Sequence, residues 1–286
     1  MEDSKIILIN KRHGITSHKV IKEIQAKYGF KKIGHAGTLD PMAQGLIVAM
    51  SNNATKLSDL LMKKDKVYFV KMKLGSETDT LDSEGSVIKS MPYEDVTLDK
   101  INEAMNKFVG KIKQKPPMYS AIKHNGQKLY KLARQNIVVD IKEREININY
   151  IKNIRYNNGV IEFEASVSSG TYIRSLVRDI AYELNTCATM IYLFREQIDI
   201  FKAPIGDNVE MYSIHDYFKL NNIVLCDEKI KSILNGMTLN LDKKCDDKML
   251  HCYDKNNRYL GIVDVICRGK IKRSKFFLTR EDYEKD

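Results

Sequence analysis

An α+β fold is predicted for this 286-residue chain by three observations. Strand-like and helical periodicities mix without the steady β-α repeat of a doubly wound sheet. Long strand patterns dominate the middle of the chain, and near residue 222 the pattern changes to short apolar runs separated by polar turns. Hydrophobic residues make up 43% and charged residues 29%, with five prolines and no low-complexity tract or long repeat, so the chain can bury a substantial core.

The elements follow in order. KIILIN reads as a short apolar strand, and a helix starts after a cap at Thr16 or Ser17, with Val20, Ile21, Ile24 and Tyr28 on its apolar face. The loop GHAGTLDPMAQG (34–45) then leads into LIVAM, a buried strand. VYFVKMKL (67–74) and VIEFEASVS (160–168) have strand composition, and the second alternates through Ile161, Phe163, Ala165 and Val167. Between them Leu98, Ile101, Met105 and Phe108 mark a helical face that is expected to stop at Gly110 as its C′ residue. A further helix after Gly170 carries Ile173, Leu176, Val177, Ile180, Ala181 and Leu184 on one face. The last runs, LCDEKI, NGMTLNL, MLHCYD, YLGIVDVI and KFFLTR, suggest a small β-rich module.

A net charge of +10 and a pI near 9.1 favour a polyanionic partner. The segment from Lys111 to Arg134 holds seven cations, no acid, and the interleaved Tyr119 and Tyr130, a composition suited to single-stranded or loop RNA. RGKIKRSK places Arg268, Lys270, Lys272, Arg273 and Lys275 within eight residues, as a phosphate-contacting edge or a solvated basic tail. The start of the chain lacks the long apolar region of a signal peptide, and no segment is long and apolar enough for a membrane helix. Five cysteines without a C-x-x-C pair read as reduced thiols in a cytoplasmic protein.

Several chemistries fit poorly. The glycine loop lacks GK[ST], no strand followed by GxGxxG occurs, and the six scattered histidines have no zinc spacing. TDTLDSEG (78–85) has Leu81 where a calcium loop needs oxygen and is read as a capped turn. Asp40, with no second acid beside it in its loop, is either a turn residue or a carboxylate nucleophile. A hydrolase would ordinarily need a second carboxylate.

Five segments occur together and in order: NKRHGITSH (10–18), GHAGTLDPMAQG, LGSETDTLDSEG (74–85), QKPPMYSAIKHNGQKLYKLAR (114–134) and SGTYIRSLVRDIAYEL (169–184). In these the chain resembles the bacterial tRNA pseudouridine-55 synthase family. The resemblance implies a pseudouridine synthase core with a mixed, mainly antiparallel sheet over residues 1–222, an RNA-binding thumb-like insertion at about 114–140, and a PUA-like RNA-binding domain at 223–286. It implies isomerisation of one uridine in the T-loop of tRNA, without cofactor or metal, by a monomer needing no obligatory protein partner, and an added role in assisting tRNA folding. A non-catalytic RNA-binding protein on the same scaffold and a guide-RNA-dependent synthase are the rival readings.

By the same resemblance Asp40 is the nucleophile, Arg174 its cationic partner, and Tyr68 the tyrosine that stacks on the target uracil. Tyr172 and Leu193 line the pocket, His35 enters the space left by the flipped nucleotide, and Lys11 and Gly14 support the loop. The glycines around Asp40 are expected to let the backbone approach the extruded nucleotide. One departure is Phe194, where the family commonly carries the first of two arginines after the leucine.

Overall fold

The computed structural model of the protein describes residues 4–135, 137–241, 245–267, 269–278 and 283. In chain order the elements are β1 (Ile6–Lys11), α1 (Ser17–Tyr28), β2 (Ile33–His35), β3 (Gln44–Ser51), a 3-10 helix (Asn52–Leu57), α2 (Ser58–Met62), β4 (Lys66–Leu74), β5 (Ser76–Thr78) and β6 (Val87–Ser90). These are followed by α3 (Leu98–Asn106), β7 (Gly110–Gln114), β8 (Lys123–His124), β9 (Gln127–Lys128), α4 (Leu129–Ala133), β10 (Arg144–Asn157), β11 (Val160–Val167), α5 (Ile173–Glu183), β12 (Ala188–Ile198) and β13 (Phe201–Lys202). The chain continues through β14 (Val209–Tyr212), α6 (Ile214–Tyr217), β15 (Asn222–Leu225), α7 (Asp227–Leu234), β16 (Leu239–Asn240), β17 (Met249–Asp254), β18 (Tyr259–Cys267) and β19 (Lys270–Phe276).

Ten strands form the main sheet, in the order β14-β1-β3-β12-β4-β11-β10-β7, with β13 on β12 and β2 on β3. The β3–β12 pair is parallel and the other pairs are antiparallel, so the sheet is mixed and mainly antiparallel. The first strands are continuous apolar runs because both of their faces are buried. Ile7 and Ile9 of β1 face one core together with Ile47 and Ala49 of β3, while Ile6, Leu8, Leu46, Val48 and Met50 face a second. Along β4 only Tyr68, Val70, Met72 and Leu74 join the first core, which matches the alternation of a strand covered on one side. That core also takes Val20, Ile21 and Ile24 of α1 and Ile173, Leu176, Val177, Ile180 and Ala181 of α5.

Thr16 accepts the backbone N–H of Lys19 and is the N-cap of α1. Tyr28 differs from its expected place on the apolar face, since it stands exposed at the helix end. Gly110 is also not a C′ residue: α3 ends at Asn106, and Gly110, at φ +103°, opens β7 instead. In the carboxy-terminal part LCDEKI is not a strand, because Ile230, Ile233 and Leu234 follow helical spacing and bury one face of α7.

The second sheet has the order β15-β17-β18-β19-β16 and its own core with α7. It is joined to the main sheet by shared packing. Tyr259, Ile262 and Phe277 lie in the same cluster as Ile6, Leu8 and Phe201. His251 bonds the Phe218 carbonyl at 2.6 Å and the Tyr259 hydroxyl at 2.9 Å. Lys275 pairs with Asp59 at 2.6 Å. Lys275 is thereby engaged within the molecule, Arg273 donates to the Leu234 carbonyl, Lys270 and Lys272 remain exposed, and Arg268 lies outside the described residues. Cys187, Cys226, Cys245 and Cys252 are free thiols, and the side chain of Cys267 lies outside the described residues.

Gly45 is the tightest point of the parallel pair. It sits at φ +99° opposite Arg195, and a Cβ there would stand 2.4 Å from the Arg195 carbonyl oxygen. Gly45→Ala is expected to destabilise the fold by about 3 kcal/mol or more, from left-handed strain plus overpacking. The midpoint of urea unfolding measures this, and an unchanged midpoint would refute the assignment.

Candidate active site

The loop between β2 and β3 is irregular in shape but pinned at nearly every residue. Ala36 N–H bonds Val48 O at 2.9 Å, and Ser17, the first residue of α1, accepts the Leu39 N–H at 2.9 Å and donates to the Leu39 carbonyl at 3.0 Å. The Pro41 carbonyl accepts from Gly14 N–H at 2.9 Å and from Lys11 Nζ at 3.0 Å. Lys11 also bonds the carbonyls of Arg12 and Ile15, so its ammonium is fully used by three backbone oxygens. Gly14 takes φ +81°, which lets the NKRHG turn fold back onto Pro41. Burial lowers the Lys11 ammonium to about 8, with Asp40 acting in the opposite direction.

Arg195 holds the loop from the other side. Its guanidinium, 1% exposed, donates to Leu46 O at 2.7 Å and to Gly37 O at 3.1 Å, clamping both ends of the turn that carries Asp40. Two glycines of this segment also make room for Arg195. A Cβ at Gly37 would stand in ordinary contact with the Arg195 side chain at 3.6 Å, whereas one at Gly45 would run into its backbone, so the enforced close approach is at Gly45.

Asp40 and Arg174 come together. Arg174 Nη2 lies 2.8 Å from Asp40 Oδ2, with the arginine side chain 6% exposed and the aspartate 38% exposed. Arg174 occupies the first turn of α5, where a cation opposes the helix dipole, so its position depends on the oxygens around it. Besides Asp40 these are Thr80 O at 2.9 Å, Tyr119 O at 2.9 Å, and Asp82 Oδ2 at 3.5 Å.

Asp82 is the second acid that the loop sequence does not reveal. It comes from TDTLDSEG, which is more than a capped turn. Leu81 adopts φ +63°, a left-handed conformation costly for leucine. Its N–H bonds Thr78 O and its carbonyl accepts from Met190 N–H, fixing the turn against β12. Asp82, its side chain 5% exposed, accepts from the Thr80 hydroxyl at 2.7 Å and the Glu84 N–H at 3.1 Å. The acid in DSEG was the available signal; its link to Arg174 spans two distant segments and has no periodicity.

Desolvation pushes the Asp40 carboxyl above the usual aspartate range, Arg174 pulls it back down, and Asp82 adds to the rise. The carboxylate nevertheless keeps an open face, which is what a reacting group requires.

Tyr68 on β4 is buried opposite Arg195 in the sheet register. Its ring shares a core cluster with Leu39, Met42, Ile173 and Leu193, residues that flank Asp40 and Arg174 or stand on β12. Among the described residues its hydroxyl has no hydrogen-bond partner. Phe194 pairs in register with Phe69 and Gln44. His35 ends β2, its buried Nδ1 has no partner in the described structure, and burial reinforced by Arg195 lowers its pKa against an opposing contribution from the Gly37 backbone. Tyr172 is the N-cap residue of α5, and the Arg144 guanidinium lies 5.3 Å from its ring centroid.

The basic insertion is folded over this region. β8 and β9 form a hairpin turned by Asn125 and Gly126, both at positive φ, and α4 packs Leu129 and Leu132 against Ile141. Tyr119 donates to Asp79 at 3.2 Å, and Tyr130 lies between Lys128 and Arg134. Among the described residues no group of His, Cys, Asp and Glu is arranged to hold a metal ion.

Residues 25–173 match the family model of the TruB family pseudouridylate synthase N-terminal domain. The chain is 42% identical to a tRNA pseudouridine synthase B of Mycoplasma mobile, over 93% of each chain. It is 38% identical to one from Fusobacterium nucleatum, over 95% of this chain and 99% of the relative. A chain in a solved Cbf5–Nop10–Gar1 complex superposes with TM-score 0.67 and 23% identity, covering 98% of this chain and 86% of that one. One in an archaeal box H/ACA sRNP Nop10–Cbf5 complex gives 0.65 and 21%, covering 98% and 88%. The fold is thus the α+β pseudouridine synthase fold, and the chain belongs to the TruB family of pseudouridylate synthases.

The opposed charges around Asp40 give a directional test. Asp82→Asn removes a like charge and is expected to lower the Asp40 pKa, whereas Arg174→Gln removes the cation and is expected to raise it. Carboxyl-carbon NMR titration of Asp40 in the two variants measures both shifts, and shifts of the same sign would contradict the arrangement.

Proposed function

We propose that this protein isomerises uridine to pseudouridine at position 55 in the T-loop of tRNA, with Asp40 as nucleophile. The observation that carries the reading is the ion pair of Asp40 with a buried arginine, on a loop pinned from both sides, in a chain of this family. The names of its relatives, tRNA pseudouridine synthase B, support tRNA as the substrate.

The reaction breaks the N1–C1′ bond and forms C5–C1′; the proton leaves C5 and N1 gains one, so oxidation state is conserved. No redox cofactor is called for. Asp40 attacks as the anion, on ribose or base, and Arg174 keeps it ionised against desolvation. Asp82 holds the guanidinium from its other edge. It is buried, and Arg174, Thr80 and Glu84 engage it, so it is unsuited to protonating a departing base as a hydrolase would require.

Tyr68 stacks on the extruded uracil and moves a proton in this reading, its hydroxyl having no partner among the described residues. Leu193 and Tyr172 line the same pocket. His35 fills the vacated stack, offsetting part of the few kcal/mol that flipping costs. Lys11 and Gly14 act through Pro41, as supports of the loop.

The synthase domain runs through residues 1–222 in this reading, with the insertion at about 114–140 pressing on the T-arm. A PUA-like module at 223–286 binds RNA through the exposed Lys270 and Lys272. The protein works as a cytoplasmic monomer without guide RNA, and binding of this kind also assists tRNA folding.

Wild-type protein is expected to convert a bare T-arm RNA without guide or partner. Asp40→Asn should lower turnover by at least about 10³-fold while leaving RNA affinity largely intact, because shape is kept and the nucleophilic charge is lost. Pseudouridine content and filter binding measure the two effects. Substantial turnover by the variant would refute the role of Asp40, and release of free uracil by wild type would refute isomerisation.

A further inference from the structure

The helix that carries Arg174 begins without a side-chain cap. Tyr172 is its N-cap residue and supplies none, and the Thr171 hydroxyl is buried without a partner in the described structure. The start of the helix is held from outside by Gln114, the last residue of β7. Gln114 is 0% exposed, and its carboxamide meets both backbone groups of Tyr172: Oε1 accepts the Tyr172 N–H at 2.9 Å, and Nε2 donates to the Tyr172 carbonyl at 3.1 Å. The donor and acceptor together fix which way the amide points.

The next residue extends the seam. The Lys115 carbonyl accepts from the Ser175 hydroxyl at 2.9 Å and from Arg178 at 3.4 Å. Four residues further on, the Tyr119 carbonyl accepts from Arg174 itself. Arg174 therefore has its backbone set by the bond of Gln114 to Tyr172, two residues before the arginine, and one edge of its guanidinium set by the insertion that begins at Gln114.

We infer that Gln114 is a positioning residue for isomerisation, fixing the start of α5 so that Arg174 meets Asp40 and Tyr172 faces the pocket. The inference rests on the proposed roles of Asp40 and Arg174. Gln114 is remote from solvent and bonds only protein backbone, so its contribution falls on the chemical step and leaves RNA capture unchanged. A carboxamide is needed because the two backbone groups require one donor and one acceptor from the same planar group. A protonated carboxylic acid offers the same pair, and a carboxylate offers acceptors only.

The test is single-turnover pseudouridine formation on T-arm RNA, with RNA affinity and thermal melting measured in parallel. Gln114→Met, similar in volume and lacking the polar pair, is expected to slow the reaction about 10- to 100-fold with affinity within about threefold of wild type. Gln114→Glu is expected to work best at low pH, where its carboxyl is protonated; its rate relative to wild type then falls as pH rises. Taking the ratio cancels the titration of Asp40, which both proteins share. An unchanged rate in Gln114→Met, a loss confined to affinity, or a flat Gln114→Glu ratio would overturn the inference. If Gln114→Met does not fold, the Gln114→Glu ratio decides. A wild-type protein inactive on the T-arm would instead sink the proposed function, so the two failures are distinct.

Discussion

A buried guanidinium has to find an oxygen for nearly every N–H it carries, and the site is organised by how Arg174 meets that demand. Its four acceptors come from three separate stretches of chain: Asp40 on the β2–β3 loop, Thr80 and Asp82 on the turn after β5, and Tyr119 in the insertion, all converging on α5. Leaving one of them out would strand a cation in low dielectric, at a cost far above that of a surface ion pair. The arrangement is therefore self-consistent: the segments that shape the cleft are those that make burial of the arginine tolerable. Of the two carboxylates on Arg174, Asp40 retains solvent access and Asp82 does not, so the open side of the Asp40 pair is the carboxylate.

Two other buried cations do related work without a carboxylate in hydrogen-bond contact. Lys11 and Arg195 bond backbone carbonyls at Pro41, Gly37 and Leu46, turning a loop with little regular structure into one with few degrees of freedom. Strong hydrogen bonds from charged donors suit this task, because loop carbonyls have no ladder to satisfy them. Serine contributes similarly: one hydroxyl of Ser17 serves both backbone groups of Leu39, tying the start of α1 to the residue before Asp40. A reacting carboxylate positioned in this way loses little entropy when substrate arrives.

How much of this was legible in the sequence follows from the range of each interaction. Strands buried on two faces are visible as IILIN and LIVAM, and α1 and α5 show their apolar stripes, because those patterns repeat locally. The helix α7 was hidden: its apolar positions Ile230, Ile233 and Leu234 cover barely one turn and sit among charges. Asp40, Arg174 and Tyr68 were reached through motif order, and the structure brings the first two into contact. Asp82 escaped because its partner lies far along the chain, the Thr80 link to the same arginine spanning 94 positions, and because a leucine at positive φ cannot be foreseen from composition. Arg195 carries no sequence signal for its role, since nothing in a strand sequence distinguishes an arginine folded under a loop from one in solvent.

The same lesson bears on the charge of the molecule. A net +10 counts every cation alike, yet Lys11, Lys66, Arg174 and Arg195 are buried and committed to protein oxygens. Lys275 joins the two sheets through Asp59, and Arg273 is bonded to the end of α7. The field that a polyanion meets is thus carried by the exposed cations, those of the insertion and Lys270 and Lys272 among them, while the buried cations hold the loop and the cleft. Because Tyr259, Ile262 and Phe277 share a core with β1 and β3, the second sheet is packed against the first and its exposed lysines hold a fixed relation to the Asp40 loop. One apolar core then sets the distance between Lys270 and Lys272 and the Asp40 carboxylate.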